Sequence, residues 1–308
     1  MSTETLQPAF SHNNIPVVFS SDNNYAPYLG VTIKSLIENS SAQYNYDIVI
    51  LTKNINERNQ QLIKKWNKKN ISIRFYDVSS IVKPYEKLFY IRDRFTLETY
   101  YRLFIDKIFS QYNKLLYLDV DTCVLNDISK LFKINLDGYF TAAARSCSSL
   151  YNTYKNVMWD GRKFRDYQME VLKLKNPYDY FQAGIMLFNI DEMKKNNFFE
   201  AVISKIKEIQ NPVLVDQDIL NAICNANNYL LNLQWNLEWC IPLSKNAFVF
   251  EDFFLQYLEA YNNPKIIHYN GKDKVWNTPN KNLAHFWWKY AYQTPFYEEI
   301  LYKNLKIA

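Results

Sequence analysis

The stretch KLLYLDVDTCVLND, residues 114–127, decides the fold. Its opening, Lys114-Leu115-Leu116-Tyr117-Leu118, has the length and composition of a buried strand, and two carboxylates, Asp119 and Asp121, follow at once. In an extended chain residues two apart face the same side, so both acids leave the core together. An Asp-x-Asp pair is a weak signal alone, because acidic residues end many strands; its surroundings must give it meaning.

Upstream, short apolar runs alternate with helical patterns. Strands are expected at Val17–Phe19, Tyr46–Leu51 and Ile71–Tyr76, and helices at Tyr28–Glu38 and Asn56–Lys68. This βαβαβ rhythm predicts an α/β fold with a mostly parallel sheet flanked by helices. A further helix over Leu97–Phe109 leads into the strand that ends at Asp119, which puts both acids at a carboxyl end of the sheet. Open α/β sheets bind their ligands there. Downstream, Tyr139–Ala144 and Phe181–Phe188 read as strands, and Asp191–Ile209 and Asp216–Ala226 as helices. Residues 145–180 between them are polar, aromatic and irregular, and are expected to form an elaborated loop or lid. After Asn262-Asn263-Pro264 come a short strand and a helical tail.

Composition narrows the function. With 48% hydrophobic residues, 308 residues can bury a sizeable core, and 36 basic against 31 acidic side chains is too even a balance for a nucleic-acid surface. The N-terminal MSTETLQPAFSHNN has no positive start followed by an apolar run, and no stretch approaches the ~18 apolar residues of a membrane span. A cytosolic protein is therefore expected. Cys123, Cys147, Cys224 and Cys240 have no metal-ligand spacing and read as reduced thiols.

Hard divalent cations prefer oxygen ligands, and Mg²⁺ or Mn²⁺ held by one or two carboxylates commonly completes its shell with substrate phosphates. His268 follows the apolar Ile266-Ile267 and opens HYNGKDKVW, residues 268–276. A histidine after a strand is usually packed or hydrogen-bonded, but imidazole also suits Mn²⁺. Gly271 permits backbone approach, and Lys274 offers a point charge for phosphate.

Five blocks, FSSDNNYAPYLGVTIKSL (19–36), YLDVDTCVLNDI (117–128), FQAGIMLFNID (181–191), VDQDILNAI (215–223) and HYNGKDKVW, stand in the order seen in the retaining nucleotide-sugar glycosyltransferases of family 8. The chain resembles that family, which includes bacterial lipopolysaccharide galactosyl- and glucosyltransferases, over about residues 15–280. The resemblance implies a nucleotide-diphosphosugar-binding domain of the GT-A type over residues 1–260, with the acceptor loop near 145–180. Residues 261–308 would add the metal and phosphate motif and the helical tail. It implies Mn²⁺, or Mg²⁺, on Asp119, Asp121 and His268, and a UDP-sugar donor contacted by Asp22 and Asn24 at the uridine. Arg102 of TYYRL, Gln182, Ala183, Asp216 and Gln217 would surround the donor sugar, with Gly271 and Lys274 on the phosphates. Gln217, Asp216 and Arg102 are the candidates for the catalytic set. The sequence departs from the family at Gln182, where asparagine is common, and at Val275, where proline is common.

The expected activity is hexose transfer from UDP-glucose or UDP-galactose to a saccharide or lipid-linked saccharide acceptor in surface-glycan assembly. The alternative is an inactive partner subunit that binds a sugar nucleotide or glycan. The tail, with Leu283, Phe286, Trp287 and Tyr290 at helical spacing, is expected to dock on its own domain; peripheral attachment at the inner membrane face is the second reading.

Overall fold

The computed structural model describes residues 5–92, 95–248 and 250–305; the first four residues of the N-terminal stretch read above lie outside them. Its strands, in chain order, are β1 (Asn14–Ser20), β2 (Asn45–Thr52), β3 (Ile71–Asp77), β4 (Lys114–Leu118), β5 (Thr122–Val124), β6 (Thr141–Arg145), β7 (Met158–Trp159), β8 (Arg162–Lys163), β9 (Phe181–Asn189), β10 (Asn228–Leu231), β11 (Leu237–Glu238) and β12 (Ile266–His268). Seven form the main sheet, in the order β10-β6-β9-β4-β1-β2-β3. Every pair in it is parallel except the two made by β9, which runs antiparallel between β4 and β6.

Alternation along the central strands builds a core on each face. Val17, Phe19, Leu116 and Leu118 face one cluster, while Val18, Leu115 and Tyr117 face the other. The first core also takes in the tail. Trp287 is fully buried, Trp276 stacks on Tyr28 with ring centroids 3.9 Å apart, and Phe296 occupies the space that a side chain on Gly30 would need. Leu283 and Phe286 are half-buried.

Where the chain leaves β4 it crosses into a second, three-stranded sheet, β11-β12-β5. There β5 runs antiparallel to β12 and puts Thr122 opposite His268, so the local turn at Asp119–Asp121 meets a residue about 150 positions away.

Three expected elements differ. Residues 97–108 begin as a 3₁₀ helix, Leu97–Phe104, and turn α-helical only over Ile105–Ile108. The helix expected over Asp191–Ile209 is two, Ile190–Lys195 and Phe198–Glu208, broken where Asn197 takes a left-handed backbone at φ 51°. Residues 145–180 are ordered into a helix at Cys147–Lys155, capped by Ser146, then the β7–β8 hairpin and a helix at Phe164–Glu170. Phe164, Tyr167 and Leu172 pin this lid into the second core, burial that its polar composition disguised.

Asp106, in the short α-helical piece, is buried behind this core. One carboxylate oxygen accepts from the Phe199 N–H at 3.1 Å and the other has no hydrogen-bond partner. Burial pushes its pKa up from 3.8 to about 6, against the pull of Lys107. The folded state thus holds this proton more tightly than the unfolded chain, and the stability it contributes is lost as pH rises through about 6. Asp106→Asn should therefore gain stability relative to wild type between pH 4 and 7, by an amount on the order of 3 kcal/mol, in urea unfolding measured across that range. A constant difference would contradict the assignment.

Candidate active site

A cavity of about 390 Å³ opens at the carboxyl ends of β1 and β4. Asp22, Arg102, Asp119, Asp121, Gln182, Ala183, Asp216, Gln217, His268, Gly271 and Lys274 all line it. Asn24 does not: it is exposed, and its amide donates to Asp22 Oδ2 at 3.4 Å. Asp22 also accepts from the Tyr25 N–H at 2.8 Å, so one of its oxygens caps the turn into the first helix.

The acids converge because two sheets meet here. The Asp119 N–H donates to the Gly184 carbonyl at 2.7 Å, an extension of the β4–β9 pairing, and the Tyr269 N–H donates to the Asp121 carbonyl at 2.8 Å, an extension of β5–β12. Ligand atoms of Asp119, Asp121 and His268 consequently lie within 4.8 Å of one another. His268 Nε2 is 3.1 Å from Asp121 Oδ1 and 3.7 Å from Asp119 Oδ2. Two carboxylates and an imidazole on a sheet edge suit Mn²⁺ or Mg²⁺, with remaining positions for phosphate oxygens. Gly184 makes room for the cluster: a Cβ there would lie 2.2 Å from His268 Cε1 and 2.7 Å from Asp119 Oδ2.

Two cations pair with the acids. Lys274 Nζ lies 2.5 Å from Asp121 Oδ2. Burial alone would push the Asp121 carboxyl up, but Lys274 and His268 hold it well below the usual carboxylate range. Arg102 is buried between Asp119, at 3.0 Å, and Asp216, at 2.8 Å, with its guanidinium 4.4 Å above the Tyr117 ring. The 3₁₀ geometry explains this reach, since residues three apart eclipse on such a helix and Thr99 and Arg102 both arrive at Asp216. Burial costs the guanidinium, yet Asp119 and Asp216 hold its pKa above the ordinary arginine value.

Asp216 does not cap its own helix, which has no side-chain cap; Asp218, inside its first turn, accepts from the Leu214 N–H at 2.8 Å. Burial raises the Asp216 carboxyl to about 6 against the pull of Arg102. Val215, just before it, holds a left-handed φ of 43°, strained for a β-branched residue, at the point where the helix start turns toward the cavity. Gln217 is held at both ends: its oxygen accepts from the Ala183 N–H at 2.9 Å, and its nitrogen donates to Tyr180 at 3.3 Å.

Sequence reasoning missed Asn236 and Glu238. Asn236 Oδ1 lies 3.2 Å from His268 Nδ1. Glu238, buried and with its pKa raised by that burial, accepts from the Cys147 N–H at 2.6 Å and the Asn270 amide at 2.8 Å. It therefore ties the start of the lid helix to the loop after His268. Spaced two apart in QWNLEW, they carry the same signal that drew attention to Asp119 and Asp121.

The main sheet, parallel except for β9, thus carries an acid pair at its carboxyl edge, and a second small sheet delivers a histidine to it. Residues 16–279 match the family described as Glycosyl transferase family 8, and the chain belongs to that family of glycosyltransferases. General stress protein A of Bacillus subtilis (strain 168) is 30% identical over 275 residues, covering 86% of this chain and 88% of that protein. Lipopolysaccharide 1,2-glucosyltransferase of Escherichia coli (strain K12) is 23% identical over 269 residues, covering 85% and 72%. The solved apo structure of the WbbM bifunctional glycosyltransferase has a TM-score of 0.87 at 30% identity, covering 97% of this chain and 53% of that one, so this chain spans about half of that molecule. The fold is GT-A.

Gly184→Ala should separate His268 from Asp119, since the added methyl overlaps both. Overpacking of this kind costs about 1–3 kcal/mol, which leaves the fold intact. Loss of Mn²⁺ binding in calorimetry with an unchanged circular dichroism spectrum is the expected result; wild-type Mn²⁺ affinity would refute the packing argument.

Proposed function

We propose that this chain moves a hexose from UDP-glucose or UDP-galactose to a saccharide acceptor in surface-glycan assembly, with retention of anomeric configuration and with Mn²⁺ or Mg²⁺ on Asp119, Asp121 and His268. The observation that carries this reading is the convergence of those three side chains within 4.8 Å, next to Lys274, at the carboxyl edge of the sheet. The lipopolysaccharide transferase among the relatives supports the surface-glycan assignment.

In this reading the uridine lies toward Asp22, and the diphosphate lies along Gly271 and Lys274. The donor sugar rests over Gln182, Ala183 and Gln217. A bound divalent ion would offset charge on the departing diphosphate. Lys274 would exchange its contact with Asp121 for a phosphate oxygen as that charge grows. The acceptor hydroxyl enters on the face from which UDP leaves: the bond from the anomeric carbon to the phosphate oxygen breaks, the bond to the acceptor oxygen forms, and the hydroxyl proton passes to a phosphate oxygen. Gln217 is a neutral amide anchored at both ends, a fixed dipole rather than a nucleophile. Its carbonyl steadies positive charge on the sugar, and the buried Arg102 keeps Asp216 and Asp119 in place. Membrane attachment through the tail is not part of this reading, because Trp287 and Tyr290 are buried.

The alternative, an inactive sugar-nucleotide or glycan-binding subunit, makes the opposite prediction in a donor assay. UDP release from UDP-glucose or UDP-galactose should require Mn²⁺ or Mg²⁺ and fall to background in Asp121→Ala. UDP should raise the unfolding temperature only with the ion present. Equal protection by GDP would contradict the uridine assignment, and ion-independent turnover the metal assignment. Gln217→Ala should lose on the order of 10²–10³ in rate, the usual cost of one positioned electrostatic contact. A wholly dead variant that still binds UDP-sugar, or a glycosylated Gln217 trapped in the wild type, would overturn the front-face route.

A further inference from the structure

The imidazole of His268 ends a chain of amide hydrogen bonds whose direction is fixed by the backbone. The Gly184 N–H can only donate, and it meets Gln182 Oε1 at 2.6 Å, so that atom is the carbonyl oxygen. The same oxygen is 2.8 Å from the side-chain amide of Asn236, which must therefore turn its NH₂ group toward Gln182. This leaves the Asn236 oxygen facing His268 Nδ1 at 3.2 Å. A carbonyl oxygen only accepts, so Nδ1 carries the hydrogen. In the neutral ring, the form that ligates a metal, this leaves the lone pair on Nε2, the nitrogen that faces Asp119 and Asp121. Asn236 and His268 are each 1% exposed, so solvent does not compete for these bonds.

We propose that Asn236 is a positioning residue for the metal site: it fixes His268 as the Nδ1–H tautomer with its Nε2 lone pair aimed between the two aspartates, and Gln182 locks Asn236 in that orientation. This inference rests on the divalent-ion reading above. Gln182, the family departure noted in the sequence, thus serves the metal histidine as well as the sugar it faces. The amide route is separate from Lys274 and Arg102, which act on the carboxylates.

The test is Mn²⁺ affinity, read from the electron paramagnetic resonance signal of free Mn²⁺ in the presence of saturating UDP. Asn236→Ala removes the acceptor, Asn236→Leu does so while conserving volume, and Asn236→Asp keeps an oxygen for the Nδ1–H. Loss of an outer partner of a metal histidine typically weakens binding about 10–100-fold, and that is the loss expected for the alanine and leucine variants. The aspartate variant keeps the acceptor for the Nδ1–H but loses the amide that donates to Gln182, so it should weaken binding less than the alanine and leucine variants do. Wild-type affinity in either the alanine or the leucine variant would overturn the proposal, as would an aspartate variant as weak as they are. If the wild-type protein with UDP fails to bind Mn²⁺ at all, the metal reading itself falls.

Discussion

At Gly184 strand β9 runs so close to His268 and Asp119 that no side chain fits between them, since a methyl there would lie 2.2 Å from the histidine ring. The same residue accepts the Asp119 N–H through its carbonyl and donates its own N–H to Gln182. One position thus sets the spacing of the ligand cluster, the backbone course of the first aspartate and the start of the amide chain to the histidine. It does so because β9 is the reversed strand, inserted between β4 and β6.

Charge then decides what the cluster can hold. Among the described residues, Asp119, Asp121 and Asp216 pair with the cations Arg102 and Lys274, and Arg102 is committed to two of the three acids. Three acids against two cations is costly in a buried setting, and a divalent ion would relieve it. Arg102 is sandwiched between Tyr117 and its carboxylates, which makes it a structural counter-ion.

Much of this was legible in the sequence because it is local. The strand ending at Asp119, the βαβ rhythm and the ordered motifs each depend on a few neighbouring residues, and most of the side chains they picked out line one cavity. What was not legible depends on distant pairing. Asn236 and Glu238 become part of the site only because β11 lies beside β12, and nothing within QWNLEW says which histidine or lid it will meet. The 3₁₀ start at Leu97 and the break at Asn197 reflect packing that overrides helical periodicity. The lid looked irregular because its buried anchors, Phe164, Tyr167 and Leu172, are spread among polar residues.

In the proposed reaction Asp119, Asp121 and His268 jointly ligate the ion that would receive the UDP diphosphate. Anomalous diffraction at the manganese edge, from crystals of this protein grown with MnCl₂ and UDP, tests it directly. One strong peak is expected among those three side chains, with diphosphate oxygens completing the shell and Lys274 turned from Asp121 toward phosphate. A peak elsewhere, or UDP bound in the cavity with no manganese among those side chains, would contradict it.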